Sequence, residues 1–383
     1  MKIIADKSLP FVERTFSSIG EVSLIDGRHI GPAAIHGADL LVVRTVTPVN
    51  AALLQNSSVH FVASASSGID HVDMDYLRDR GIGFAHAPGC NARSVAEYVL
   101  SALFVLADQY TFDLTKKCVG IIGCGHVGSQ VLRFLKALGV ECIVNDPPLG
   151  EAGGDVQCCN LDEVLAADVI TLHVSLVEDG PYPTHHMVNQ AFLRQIRKDA
   201  ILINTSRGNV IDEDALMAYL ERSRKACTVL DVWAREPRIN MDLLSRVTIG
   251  TPHVAGYSVE GKRRAVQMVF RQVCDYFNLG CDETMLTALF EPGISEIVVS
   301  GFDSELDAVR LAVLACYDVR SDSAALRRML AVKPDQHTEF FDELRDTYPL
   351  RREFNAMSIK LPSGRDSPEA VLRELGFTVA SIQ

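Results

Sequence analysis

Three segments carry side chains suited to proton chemistry on an anionic substrate. In "ILINTSRGNVID" Arg207 follows an apolar run, in "TVLDVWAREP" Asp231 and Glu236 follow a second, and in "VTIGTPHVAGY" His253 follows a third. A guanidinium offers a rigid fork of donors that can hold a carboxylate and polarise an adjacent oxygen. An imidazole exchanges a proton near neutral pH, and a carboxylate bonded to it fixes its tautomer. Taken singly, each residue has an ordinary explanation: a surface arginine, a turn glutamate before Pro237, a satisfied loop histidine. Their succession after three apolar runs is what points to a site, because open α/β sheets bind ligands at the carboxyl ends of their strands.

A cofactor for that chemistry is written upstream. "KKCVGIIGCGHVGSQ" places Gly123, Gly125 and Gly128 as GxGxxG, with His126 and Val127 between the last two. The pattern follows an apolar strand, opens a helix, and is followed by a second strand ending in Asp146. That context marks a dinucleotide site: the first glycine for the turn, the second for close approach of the backbone to a pyrophosphate, the third for helix–strand packing. The helix N-terminus would face the phosphates. Asp146 can accept from both ribose hydroxyls and would repel a 2′-phosphate, which favours NAD over NADP. With NAD alongside, Arg207, Glu236 and His253 suit the oxidation of a 2-hydroxy acid. His253 would take the hydroxyl proton as hydride leaves C2.

The elements that must position these groups alternate. "KIIAD", "ADLLVVRT", "VHFVASAS" and "IGFAHAPG" read as buried strands, and "SLPFVERTFSSIG" as a helix with Leu9, Val12, Phe16 and Ile19 on one face. "SVAEYVLSALFVLADQY" reads as a long apolar helix, with Ser94 as N-cap and Glu97 completing a capping box. "KKCVGIIG", "ECIVND", "DVITLHV", "AILINTS", "CTVLDVW" and "VTIG" form a second set of strands, and "SVEGKRRAVQMVFRQVCDYFNL" a helix returning to the first domain. From about residue 282, "SEIVVSG", "SELDAVRLAVLACYD", "SAALRRML", "AMSIKLP" and "SPEAVLRELGFTVASI" suggest a small α/β module. The fold class expected is α/β, with two Rossmann-like doubly wound parallel-sheet domains and this C-terminal module. The domains expected are 1–93 with 256–281 for substrate, 94–255 for NAD, and 282–383.

Composition narrows the classes further. A formal net charge of −12 disfavours nucleic acid as partner and requires a local positive pocket for any anionic substrate. The segment "MKIIADKSLPFVERTF" lacks the apolar run of a signal peptide, and no stretch suits a membrane span. The ten cysteines show neither CxxC nor zinc spacing, so no metal site is expected and a reducing cytoplasm suits them.

In the order "GCGHVG", "NTSRG", "LDVW…EP" and "TPHVAGY" the chain resembles the D-isomer-specific 2-hydroxyacid dehydrogenases. "RTVTPVN", "GIDHVD", "APGCNARSVAEYV", "DGPYPTHH", "HVAGYSVEGK" and "CYDVRSDSAALR" resemble one branch of that family. The resemblance implies oxidation of 4-phospho-D-erythronate to 3-hydroxy-2-oxo-4-phosphooxybutanoate with NAD, a step in bacterial synthesis of pyridoxal 5′-phosphate. It also implies a homodimer joined through the C-terminal module. By matched position it makes Arg207, Glu236 and His253 catalytic, the last as proton donor and acceptor. Thr45, Ser66 and Tyr257 would contact substrate; Asp146, Thr205, Ser206, Arg207, Asp231 and Gly256 would contact NAD. Three positions depart from the pattern. Thr45 replaces a serine and Ser66 a threonine, each keeping its hydroxyl, whereas Val174 replaces a threonine and loses a side-chain bond to the cofactor. For the substrate phosphate, the candidates are Arg44 or one of Lys262, Arg263 and Arg264. The competing expectations are another dehydrogenase of the family (phosphoglycerate, glycerate or glyoxylate type), a NAD-sensing binding protein, and an effector-binding C-terminal module. Two domains also imply closure, hinged near Asn91–Ser94 and Gly256–Ser258.

Overall fold

The computed structural model describes residues 1–223, 225–280, 295–362 and 368–382. Two compact units make up the chain: Met1–Asn91 with Ser258–Gly293, and Ala92–Tyr257 with Ile294–Gln383.

The first unit is built on strands β1 (Lys2–Asp6), β2 (Glu21–Ile25), β3 (Leu40–Val43), β4 (Phe61–Ser64) and β5 (Gly83–His86), all parallel in the order β2-β1-β3-β4-β5. Every residue of β3 and β4 is buried, which is why they stand out as unbroken apolar runs. Strand β2 has no buried residue and lies at the sheet edge; its mixed "EVSLI" gave no strand signal. The helix Val259–Phe277 lays Val266, Val269, Phe270 and Val273 on the sheet with Phe16, Leu40 and Phe61. Ser258 caps it, its hydroxyl accepting from the Gly261 N–H. The helix expected from Leu9 to Ile19 is only Val12–Phe16, entered through Phe11 at φ 65°.

The second unit carries β6 (Cys118–Ile122), β7 (Glu141–Asn145), β8 (Val169–Leu172), β9 (Ile201–Asn204), β10 (Cys227–Leu230) and β11 (Ile249–Gly250), parallel in the order β11-β10-β9-β8-β6-β7. Strand order reverses between β6 and β8, so a ligand crevice is expected at their carboxyl ends. The helix Ala92–Tyr110 packs on the helix His126–Ala137. The capping box expected at Ser94 and Glu97 is absent. The helix starts earlier, at Ala92, and both residues are buried within it. Instead Glu97 Oε1 accepts from the Phe354 N–H at 2.9 Å and lies 3.2 Å from Arg93 Nε. The cap reading failed because these polar groups are buried by C-terminal residues rather than placed at a helix end.

The C-terminal module has a parallel sheet of β12 (Glu296–Val298), β13 (Ser358–Pro362) and β14 (Thr378–Ile382). Its Val309, Val313, Phe354 and Leu372 share a core with Val99 and Phe134. The helix His337–Asp346, which carried no clear sequence signal, puts Phe341 into the core that holds Trp233. Among the described residues every cysteine is a free thiol, no helix is long and apolar enough to cross a membrane, and no group of three metal-ligating side chains occurs.

Candidate active site

Strand β6 delivers the chain into the glycine loop. Gly123 has φ +86°, and a Cβ there would lie 2.8 Å from the His173 carbonyl carbon, so a side chain is excluded twice over. A Cβ on Gly128 would lie 2.0 Å from the Gly123 oxygen, which fixes how closely the helix passes the turn. Gly125 differs: a Cβ there meets nothing within 4 Å. It is also the N-cap of His126–Ala137 with no side-chain cap hydrogen bond, so no side chain caps the first N–H groups of the helix, at His126, Val127 and Gly128. An anionic phosphate pair suits that opening.

Asp146 follows β7 and anchors the loop from the side. Its Oδ2 accepts from the Cys124 N–H at 2.7 Å and its Oδ1 from the Leu149 N–H at 3.0 Å. Each carboxylate oxygen has a further lone pair, so a ribose diol can still be accepted. The residues therefore fit a dinucleotide. Across the switch point, after β8, lies His173, a residue sequence reasoning passed over. Its Nε2 is 2.9 Å from Thr171 Oγ1 and its Nδ1 3.2 Å from Thr205 Oγ1. Burial pushes it down to about 3, so it stays neutral and holds Thr205 by hydrogen bonding alone. The available signal was a lone polar residue ending a fully buried strand beside the glycine loop. Val174 packs there too, its Cγ1 being 2.9 Å from where a Gly123 Cβ would lie.

The Arg207 loop is organised by Asn204, the last residue of β9. Asn204 Oδ1 accepts from the Ser206 N–H and hydroxyl at 3.0 and 2.7 Å, and its Nδ2 donates to the Arg207 carbonyl at 2.9 Å. Arg207 Nη1 donates to the Ser206 carbonyl at 2.8 Å. A Cβ on Gly208 would lie 2.0 Å from the Trp233 carbonyl carbon, so the Arg207 loop rests directly on the Glu236 loop.

Asp231 directly follows β10 and is fully enclosed. Its Oδ1 accepts from Thr251 Oγ1 at 2.6 Å and the Val254 N–H at 2.8 Å, and its Oδ2 from the Ala255 N–H at 3.0 Å. Its carbonyl accepts from the His253 N–H at 2.7 Å. What the geometry gives Asp231 is the shaping of the histidine turn, where His253 itself sits at φ 58°, a costly conformation for a side-chain-bearing residue. Glu236 Oε1 accepts from the Trp233 N–H at 2.9 Å, and its Oε2 is 2.7 Å from His253 Nδ1. Burial raises the Glu236 carboxyl, but the His253 charge and hydrogen bond, the Arg345 charge and the Trp233 N–H outweigh it, and the net pKa is below the ordinary value. An ionised Glu236 requires the Nδ1–H tautomer, which leaves Nε2 for proton exchange.

Gly256 and Tyr257 follow in a half-buried turn. Tyr257 meets the ring of Tyr348 edge-on at 5.6 Å, and its hydroxyl accepts from Arg345 Nη2 at 3.0 Å. In the first unit, Arg44 and Thr45 directly follow β3, and Ser66 lies just past β4. Ser66 Oγ is 2.6 Å from Ser64 Oγ, which is 2.9 Å from His71 Nε2. Arg44 Nε bonds the buried Asp6 at 2.6 Å, and Arg264 Nε donates to the Cys90 carbonyl at 2.9 Å. Lys262 and Arg263 lie in the first turns of the helix Val259–Phe277.

Residues 100–255 match the family described as D-isomer specific 2-hydroxyacid dehydrogenase, NAD binding domain, and residues 289–376 match a domain of unknown function. The chain is 42% identical over 382 residues to the erythronate-4-phosphate dehydrogenase of Hahella chejuensis, covering 100% of both chains. It belongs to the D-isomer-specific 2-hydroxyacid dehydrogenase family. As a D-2-hydroxyacid dehydrogenase it is a NAD-dependent oxidoreductase, and NAD is its cofactor. The erythronate-4-phosphate dehydrogenase of Edwardsiella ictaluri is 43% identical over 378 residues, 98% of this chain and 99% of that one. Two solved structures extend the likeness to the fold. One is the D-lactate dehydrogenase from Aquifex aeolicus complexed with NAD and lactic acid (25% identity, TM-score 0.61, 73% of this chain and 96% of that one). The other is the NAD-bound 3-phosphoglycerate dehydrogenase of Entamoeba histolytica (22% identity, TM-score 0.63, 76% and 99%).

Proposed function

We propose that this dehydrogenase oxidises 4-phospho-D-erythronate to 3-hydroxy-2-oxo-4-phosphooxybutanoate, a step toward pyridoxal 5′-phosphate, as a cytoplasmic homodimer. The observation that carries the reading is the extent of the likeness. Relatives named erythronate-4-phosphate dehydrogenase match from end to end, through the C-terminal module, whereas the lactate and phosphoglycerate enzymes span 73% and 76% of the chain. In this reading residues 1–93 with 256–281 bind substrate, 94–255 bind NAD, and 282–383 join the subunits.

The chemistry follows from the side chains. Gly123, Gly125, His126, Val127, Gly128, Asp146, Thr205, Ser206, Asp231 and Gly256 are the proposed holders of NAD, which when bound accepts a hydride. Arg207 binds the substrate carboxylate and the C2 oxygen, drawing electron density toward the oxygen as it becomes a ketone. His253 Nε2 removes the C2 hydroxyl proton. Glu236 keeps the ring oriented and stabilises the imidazolium that results. Thr45, Ser66 and Tyr257 supply hydroxyls to the polyol.

Isotope transfer tests the reading. 4-Phosphoerythronate deuterated at C2 should give NADH carrying one deuterium and the matching 2-oxo acid. Unlabelled NADH, or no oxidation of this acid by a protein that oxidises another, would contradict it.

A further inference from the structure

The phosphate of the proposed substrate needs a cation, and two of the cations considered from sequence, Arg44 and Arg264, are engaged elsewhere. Arg44 faces the buried Asp6 carboxylate at 2.6 Å, and Arg264 is tied to the Cys90 carbonyl. In the second unit, Arg351 donates to the Ala255 and Ser94 carbonyls at 3.0 and 2.6 Å and stacks on Tyr317 at 3.6 Å.

Arg345 is different. It lies on the helix His337–Asp346 one turn beyond Phe341, on the face docked against the Trp233 core, and is 9% exposed. Among the described residues its one hydrogen bond is Nη2 to the Tyr257 hydroxyl at 3.0 Å, with the guanidinium 5.6 Å from the Tyr257 ring centre. Its Nε is buried with no hydrogen-bond partner among the described residues, a feature shared with Arg351 and Arg93; what sets Arg345 apart is that the rest of its guanidinium meets only a neutral phenol. Among the described residues no carboxylate reaches it at ion-pairing distance; Glu236 and Asp342 act on it only through space. A buried guanidinium with one neutral partner is costly unless an anion completes it.

We propose that Arg345, supplied by the C-terminal module, binds the phosphate monoester of the substrate together with Tyr257 and so sets the preference for a phosphorylated 2-hydroxy acid. The proposal rests on the functional reading above. It gives the module a part in specificity, and it explains why this cation lies outside the segment matched to the NAD-binding family, which ends at residue 255.

Steady-state kinetics on the full chain test it with Arg345→Ala, Arg345→Gln and Arg345→Lys, each on 4-phosphoerythronate and on erythronate. A charge-assisted bond to phosphate is worth roughly 10- to 100-fold in affinity. KM for the phosphorylated acid should therefore rise by about that factor in the Ala and Gln variants, at least tenfold more than for erythronate, with lysine recovering part of the loss. Equal losses on both acids would overturn the proposal and leave Arg345 as a support for Tyr257. Should Ala prove unable to fold, Gln and Lys keep the stem, and inorganic phosphate serves as a second probe. Phosphate should compete with substrate in the wild type and lose potency in both variants; unchanged inhibition would overturn the proposal. The wild-type arm separates the two readings. If another phosphorylated acid is preferred, the substrate assignment falls while Arg345 is judged on that acid. If phosphorylation confers no preference, both fall.

Discussion

Glu236 Oε2 and His253 Nδ1 lie 2.7 Å apart, on loops that follow β10 and β11, and Trp233 holds the other carboxylate oxygen. In the proposed function this pairing leaves His253 Nε2 as the exchanging atom. Replacing His253 by Asn should lower kcat on the order of 10²- to 10⁴-fold while NAD affinity, read by fluorescence titration, stays within a few-fold.

The same pair has a pH signature in stability. The Glu236 carboxyl is depressed below its ordinary 4.5, so its contribution is complete above that value and is lost as pH falls through the lower folded value. Glu236→Gln should therefore flatten the acid limb of a urea-midpoint profile below about pH 4.5. Parallel limbs for the two proteins would contradict the depressed state.

Glu97 predicts the opposite slope. Burial pushes its carboxyl up to about 8, Glu353 adds to this, and Arg351 and Arg93 oppose it. The folded chain then holds a proton that the unfolded chain releases above its ordinary 4.5. Stability attributable to this proton is present below 4.5 and declines as pH rises toward about 8. Glu97→Gln should remove that decline, worth on the order of a few kcal/mol across the window by urea unfolding.

Gly208 tests the contact between the Arg207 and Glu236 loops, which are proposed to be catalytic. A Cβ there would penetrate to 2.0 Å from the Trp233 carbonyl carbon. Gly208→Ala should displace the Arg207 loop, cost roughly 1–3 kcal/mol in stability, and raise KM for the 2-hydroxy acid more than KM for NAD. A variant kinetically identical to wild type would show that this packing does not position Arg207.

In the proposed reading Asp146 carries cofactor choice. Asp146→Ser keeps an acceptor for the Leu149 N–H but removes the charge facing a 2′-phosphate. The ratio of kcat/KM for NADP to that for NAD should rise at least tenfold, the scale of one lost charge repulsion of about 1.4 kcal/mol.

Much of this architecture was legible in the chain because its central strands are buried on both faces. β3, β4, β8 and β9 are fully buried, mostly apolar runs, and each is followed by the polar residues it presents. β2 escaped because an edge strand without a buried residue has no apolar pattern. Glu97 was misread for a related reason: a serine three residues before a glutamate looks like a helix start, whereas both are interior and the glutamate serves Phe354 from far along the chain. The helix "HTEFFDELRD" buries only Phe341 and Arg345, too thin a stripe to register, and its arginine resembled any surface charge. Asp231 was placed at the cofactor from resemblance, and the fold shows what it does locally, closing the His253 turn with both oxygens.

The central claim is best tested by offering the purified protein 4-phosphoerythronate, 3-phosphoglycerate and glycerate, each with NAD and a 2-oxo acid as spare acceptor. Products are read by mass spectrometry, since tightly held NADH could hide turnover from absorbance. The account predicts that 4-phosphoerythronate is oxidised alone or by far the fastest. Faster oxidation of either other acid would contradict it, leaving a NAD-dependent 2-hydroxyacid dehydrogenase with a different substrate.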